Sequence, residues 1–140
     1  MALLIDVANA VVAELNSSVL FSDGVTAVMN LKPEFELKDL KELKVTVVPK
    51  ALKISNETRQ DGGREVKVDI GIQRKTADLE IIAELMQLVE DVAGLFEHKR
   101  LSQYQQAVCV EIENDPIYDP EHLRQYRQFT SVITLTFRVL

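Results

Sequence analysis

A single cysteine, no tryptophan, five glycines and four prolines are spread over 140 residues, and each shortage removes a class of protein. With Cys109 alone no internal disulfide can form, so stability must come from an apolar core, and a reducing compartment is expected. Scarce glycine and proline exclude collagen-like and low-complexity chains. No apolar run approaches the roughly 20 residues of a membrane span. The opening Met1-Ala-Leu-Leu-Ile-Asp-Val-Ala-Asn-Ala10 has no basic residue and is interrupted by Asp6 and Asn9, so a signal peptide is not expected. Without one, the sequon Asn56-Glu-Thr58 reads as chance. Positive charge is short as well: 16 Lys and Arg face 22 Asp and Glu, for a net charge of −6. That balance opposes adhesion to nucleic acid or anionic membrane.

Arrangements that carry chemistry are equally missing. His98 and His122 lie far apart, without the His or Cys spacing of a zinc site, and both read as surface residues. Gly62-Gly63 has no following helix or Lys-Ser/Thr to complete a phosphate cradle and reads as a turn. Ser131 sits inside a strand pattern, away from any histidine, so it lacks the setting of a nucleophile elbow. Cys109, within Ala107-Val-Cys-Val-Glu-Ile112, reads as a small buried hydrophobe. Glu113, Asp115, Asp119 and Glu121 lack the spacing and glycine of a calcium loop, and Glu80 with Glu84 is what any acidic helix shows. No catalytic residue, cofactor or metal ligand is assigned, and the chain is not expected to be an enzyme.

What is present is an alternating strand followed by an over-apolar helix. In residues 64–74, Val66, Val68, Ile70 and Ile72 point one way and Lys67, Asp69, Gly71 and Gln73 the other, giving one core face and one wet face. Thr76 or Asp78 can cap the following helix, and Glu80 complements its dipole. Leu79, Ile82, Met86, Val89, Ala93 and Phe96 form one stripe; Ile81, Leu85, Leu88, Val92 and Leu95 form a second. Together they span roughly 200° of the circumference, twice the ~100° of a simple surface helix. One sheet cannot cover both, so either another copy of the chain or the N-terminal helix must cover the second.

The remaining chain fits one domain, residues 1–140. Residues 3–16 read as a helix with Leu4, Val7, Ala8, Val11, Val12 and Leu15 on one side, and residues 19–21 should tuck onto the core. A strand is permitted over 25–31 and broken by Pro33, a polar excursion follows over 38–44, and a β-branched strand over 44–50 ends at Pro49, with Leu52 and Ile54 keeping alternate spacing beyond it. Residues 55–64 read as an exposed hairpin loop. Val108, Val110 and Ile112 alternate with Cys109 and Glu111, residues 120–126 fit a short helix opened by proline, and the chain closes on a long strand from Phe129. This order predicts an α+β fold: a mostly antiparallel sheet of four to five strands with two helices packed on one face.

Val45-Thr-Val-Val-Pro49, Val66-Lys-Val-Asp-Ile-Gly-Ile-Gln-Arg-Lys75 with the helix to Phe96, Asp115-Pro-Ile-Tyr-Asp-Pro-Glu-His-Leu123 and Gln128-Phe-Thr-Ser-Val-Ile-Thr-Leu-Thr-Phe137 together resemble the tail terminator, or tail completion, proteins of long-tailed bacteriophages. The resemblance implies a structural virion subunit, assembled in the host cytoplasm, that closes into a hexameric ring on the head-proximal end of the tail tube. There it would end tube polymerisation and meet the head-tail connector or head-closure protein while DNA passes through without specific binding. A ring repeats one heterologous contact, and its helix side is assigned to Ile81, Leu85, Leu88, Val92 and Leu95. Rival readings are another neck component, such as a head-closure or connector-adaptor protein, and a small-molecule-binding domain.

Overall fold

Among the described residues eight elements follow one another: α1 (Leu3–Ser17), β1 (Ala27–Met29), β2 (Lys44–Ser55), β3 (Gly63–Lys75), α2 (Leu79–Phe96), β4 (Ala107–Glu113), α3 (Pro120–Tyr126) and β5 (Gln128–Val139). The computed structural model describes residues 3–18, 20–21, 26–31, 43–55, 63–76, 78–114 and 117–139. The sheet has five strands in the order β1-β2-β3-β5-β4. Only β1 runs parallel to its neighbour; every other pairing is antiparallel. The fold is α+β, as the element order predicts, with α3 as a short third helix.

The central pair is β3 and β5, matched residue for residue from Arg64↔Val139 to Lys75↔Gln128. Val66, Val68, Ile70 and Ile72 meet Phe137, Leu135, Ile133 and Ser131 across the ladder, and all are buried. α1 lies over β1, β2 and β3 while α2 lies over β5 and β4, so the two helices divide one apolar face between them. Phe96 of α2 meets Phe137 edge-on at 6.4 Å between ring centroids, the arrangement that places a positive ring edge against a negative ring face. The opposite sheet face is polar without being wet. Thr46, Asp69, Thr130 and Thr136 are buried there, and Asp69 accepts a 2.6 Å hydrogen bond from the Thr134 hydroxyl with the Lys50 ammonium at 3.7 Å.

Both long edge regions carry an irregularity that simple alternation misses. In β2 the pairing shifts between Pro49 and Ala51, so Lys50 is the extra residue and Leu52 and Ile54 keep to the helix-side face, opposite Val66 and Arg64. In β4 the shift falls between Cys109 and Glu111. The expected phase of Val108, Val110 and Ile112 is therefore corrected: Ala107, Cys109 and Ile112 pair with Val139, Phe137 and Leu135, while Val110 is the bulged residue and is exposed. One extra residue reverses the inward and outward parity of everything after it.

Local chemistry fixes the ends. Asp78 caps α2 by accepting from the Glu80 amide at 2.9 Å. Asp119 caps α3 by accepting from the Glu121 and His122 amides, with Pro120 in the first turn, where a missing N–H costs nothing. Asn16, at the end of α1, grips β1 by donating to the Ala27 carbonyl and accepting from its amide. The strand expected over 25–31 is thus a three-residue strand, Ala27–Met29, docked to the helix before it. The excursion over 38–44 and the loop over 55–64 lie mostly outside the described residues.

Candidate oligomer interface

α2 does not divide into the two predicted stripes. Its buried residues are Ile82, Leu85, Val89, Val92 and Phe96, a single seam that takes members of each. Leu85 and Val92, two of the residues assigned to an intersubunit contact, therefore belong to the chain's own core, while Ile81, Leu88 and Leu95 are half-buried against it. At about 100° per residue these three lie together on one flank of the seam, Ala93 and Glu97 lie on the other, and Gly94 lies near the back of the helix. The helix is placed so that its wide apolar arc straddles the sheet instead of turning one stripe outward. Leu79, at the first turn, is the outlier and is 80% exposed.

Surplus apolar surface exists, but the structure moves it from the helix to the sheet edges. On one side Val28 and Leu31 flank β1, and Leu52 and Ile54 stand 44% and 55% exposed on the far half of β2. On the other, Val110 is 49% exposed in the β4 bulge, and Ile117 is exposed beside β5. β1 pairs only with Val45–Val47, so the far half of β2 is itself a sheet edge among the described residues. Sequence periodicity misses this set: Val110 sits at a bulge and Ile54 opposite Arg64, while Val28 and Leu52 pair with Thr46 and Val66 and carry no such mark. Ile54 facing Arg64 is the one signal that was available: an apolar residue at an inward position where its partner strand has already turned polar.

Between the C-terminal half of α2 and β4 runs an open groove of about 490 Å³. Ala93, Gly94, Val110 and Ile112 line its apolar part, and Glu90, Glu97, Glu111 and His98 its rim. Cys109 closes the inner wall. Burial pushes its thiol up to about 11, with the Glu111 backbone opposing only weakly. Because the thiolate is the reactive form, Cys109 is expected to resist a disulfide reagent at pH 8 in the native protein and to react fully in denaturant. Rapid native labelling would contradict this setting.

The other singled-out groups serve local structure. His98 is exposed at the end of α2 with a left-handed backbone, φ 56°. His122 is corrected from a surface residue to a half-buried one: its Nδ1 lies 3.0 Å from the Thr130 hydroxyl and its Nε2 3.6 Å from Asp119. Ser131 is buried and accepts from the Asn114 side-chain amide. In the acidic loop Asp119 is a helix cap, Glu121 pairs with Arg124 at 2.7 Å, and Asp115 lies outside the described residues. Among the described residues no three His, Cys, Asp or Glu side chains gather as metal ligands, and no helix is long and apolar enough to cross a membrane. A buried carboxylate that periodicity overlooked, Glu14 on α1, accepts from the Ser102 amide at 2.6 Å and lies 3.4 Å from the Lys99 ammonium.

No protein-family model matches the chain, and no curated protein matches it. Among solved structures, a chain in the virion of a native gene transfer agent particle shares the fold at TM-score 0.55. It is 16% identical, over 99% of this chain and 96% of that one. A second solved chain, which bears no functional name, aligns at TM-score 0.52 and 15% identity over 98% and 94% of the two chains. The sheath/tube terminator of an extracellular contractile injection system, in its extended state, superposes at TM-score 0.43 with 14% identity, over 99% of this chain and 56% of that one. That last superposition is too loose to carry an argument. At these identities the first two likenesses are likenesses of fold.

Proposed function

We propose that this chain is a structural component of a phage-type tail: copies close into a ring, six being the expected number, at the head-proximal end of the tail tube. There the ring ends polymerisation and offers a docking surface to the head connector. The observation that carries the reading is the placement of exposed apolar side chains on two opposite edges of one sheet. A ring requires two different, outward-facing patches on every subunit. Full-length sharing of the fold with a chain from a virion supports it, as does the sequence resemblance to tail terminators. The role is mechanical, without catalysis, and the acidic chain suits a channel through which DNA slides. Of the residues assigned to the helix side of the contact, Ile81, Leu88 and Leu95 are half-buried against the core, on the flank of α2 away from the groove it forms with β4.

Light scattering and native mass measurement of the purified chain, followed by electron microscopy, test the ring. A closed oligomer is expected, and a strict monomer at every concentration, with tube protein present or absent, overturns it. Position within the assembled particle separates a terminator from a head-closure or connector-adaptor protein, which the fold likeness fits equally well.

A further inference from the structure

We infer that the ring contact is made by the far end of the β2–β3 hairpin of one copy seated in the α2/β4 groove of the next. This inference rests on the ring reading above and specifies its two surfaces.

The hairpin end presents Leu52 and Ile54 on the helix-side face, with Arg64 directly opposite Ile54 and Lys53 on the reverse. All four are exposed. The groove supplies the complement: Ala93, Gly94, Val110 and Ile112 line it together with the acidic Glu90 and Glu97 of α2. Among the described residues no ion pair engages Arg64, Glu90 or Glu97. On the helix-side face the proposed contact thus brings the Arg64 guanidinium against the Glu90 and Glu97 carboxylates, charge of opposite sign that no described partner takes up. Such matching sets register and suppresses wrong pairings.

Placement agrees with chemistry. Leu52, Val66, Phe137 and Cys109 form one row across the sheet, so the patches lie on opposite edges, three strand spacings or roughly 14 Å apart. A contact from one edge to the opposite edge of the next copy is heterologous and propagates in one direction, which is what ring closure needs.

Gly94 adds an independent reason. It stands inside a long helix, where glycine is less favourable than alanine, yet a Cβ built there meets nothing within 4 Å. Packing inside the chain does not demand glycine at this position. A neighbour's side chain entering the groove would use the space it leaves.

The test uses the full-length chain and reads oligomer size against concentration and salt. Arg64→Glu and Glu97→Lys, each alone, are expected to weaken association about tenfold or more. Mixing the two variants should restore rings of alternating copies, because one swapped contact and one native contact then recur around the circle. Gly94→Leu is expected to fold normally, as judged by its melting curve, and to fail to assemble. If the native chain forms rings that Arg64→Glu, Glu97→Lys and Gly94→Leu all leave intact, this contact is wrong and the ring reading survives. Single variants that disassemble without rescue on mixing also overturn the pairing. A native chain that never assembles removes the ring reading and the contact with it.

Discussion

Replacing Phe137 with alanine is expected to lower the free energy of unfolding by about 3–5 kcal/mol, the range for emptying a large aromatic site in a close-packed core. Phe137 is wholly buried, meets Phe96 edge-on, and pairs with Val66 on one side and Cys109 on the other. It is the residue at which α2, both central strands and the β4 edge converge. The edge-on ring contact adds about 0.5–1.5 kcal/mol beyond the area lost, and the backbone around it is laddered on both sides, which limits collapse into the cavity. Phe137→Leu keeps most of the volume and should cost less than about half as much. Urea titrations of the native chain and both variants check the order. Equal midpoints for native and Phe137→Ala would mean that the helix layer does not bear on this strand.

Glu14→Ala is expected to cost about 2–3 kcal/mol at neutral pH, in keeping with a hydrogen-bonded charge whose removal leaves partners behind. Burial by itself would raise the carboxyl's pKa. The Ser102 hydroxyl and amide, with the Lys99 ammonium, together outweigh burial and hold it below the ordinary value. A carboxyl whose folded-state pKa is depressed contributes stability that is fully present above its unfolded pKa and drains away as pH falls through the folded one. Native protein and Glu14→Ala should therefore differ most near neutrality and converge in acid. Parallel stability curves down to the acid limb would show that the ion pair contributes nothing.

The two residues act on different joints. Phe137 ties α2 to the sheet, whereas Glu14 ties α1 to the turn after α2, through a segment whose Leu101 is wholly buried. Together they hold the helix layer as one unit over the sheet.

Period-2 and period-3.6 patterns make most of this architecture legible in the sequence. Val66, Val68, Ile70 and Ile72 were assigned to one face because strict alternation has a single geometric meaning, and the same held for Ile133, Leu135 and Phe137. Asp78 and Pro120 announced their helices through the chemistry of orphan first-turn amides. Four things are not legible there, each for a physical reason. Bulges at Lys50 and Val110 each insert one residue; Pro49 marks the first, but nothing in the composition marks the second, so Cys109 and Val110 exchange faces. The seam of α2 is chosen by how the helix sits on a twisted sheet, so Leu85 and Val92 went inward although a wheel alone placed them beside Ile81. Glu14 looked like an ordinary helix carboxylate, since its partners Lys99 and Ser102 lie 85 or more positions away, the Ser102 bond spanning 88. The exposed edge residues were missed as a group, because alternation says which face a side chain takes and is silent on where the covering layer stops.

Those two bulges also bear on fibre growth. An uninterrupted outer strand would offer its free amides and carbonyls to any passing strand and could template an open-ended fibre. Here Pro49 withholds a donor and each kink bends its strand out of line, which hinders main-chain templating along the far half of β2 and along β4. What these borders offer a neighbour instead is protruding side chains and their charges, so addition strand by strand is disfavoured without any covering element.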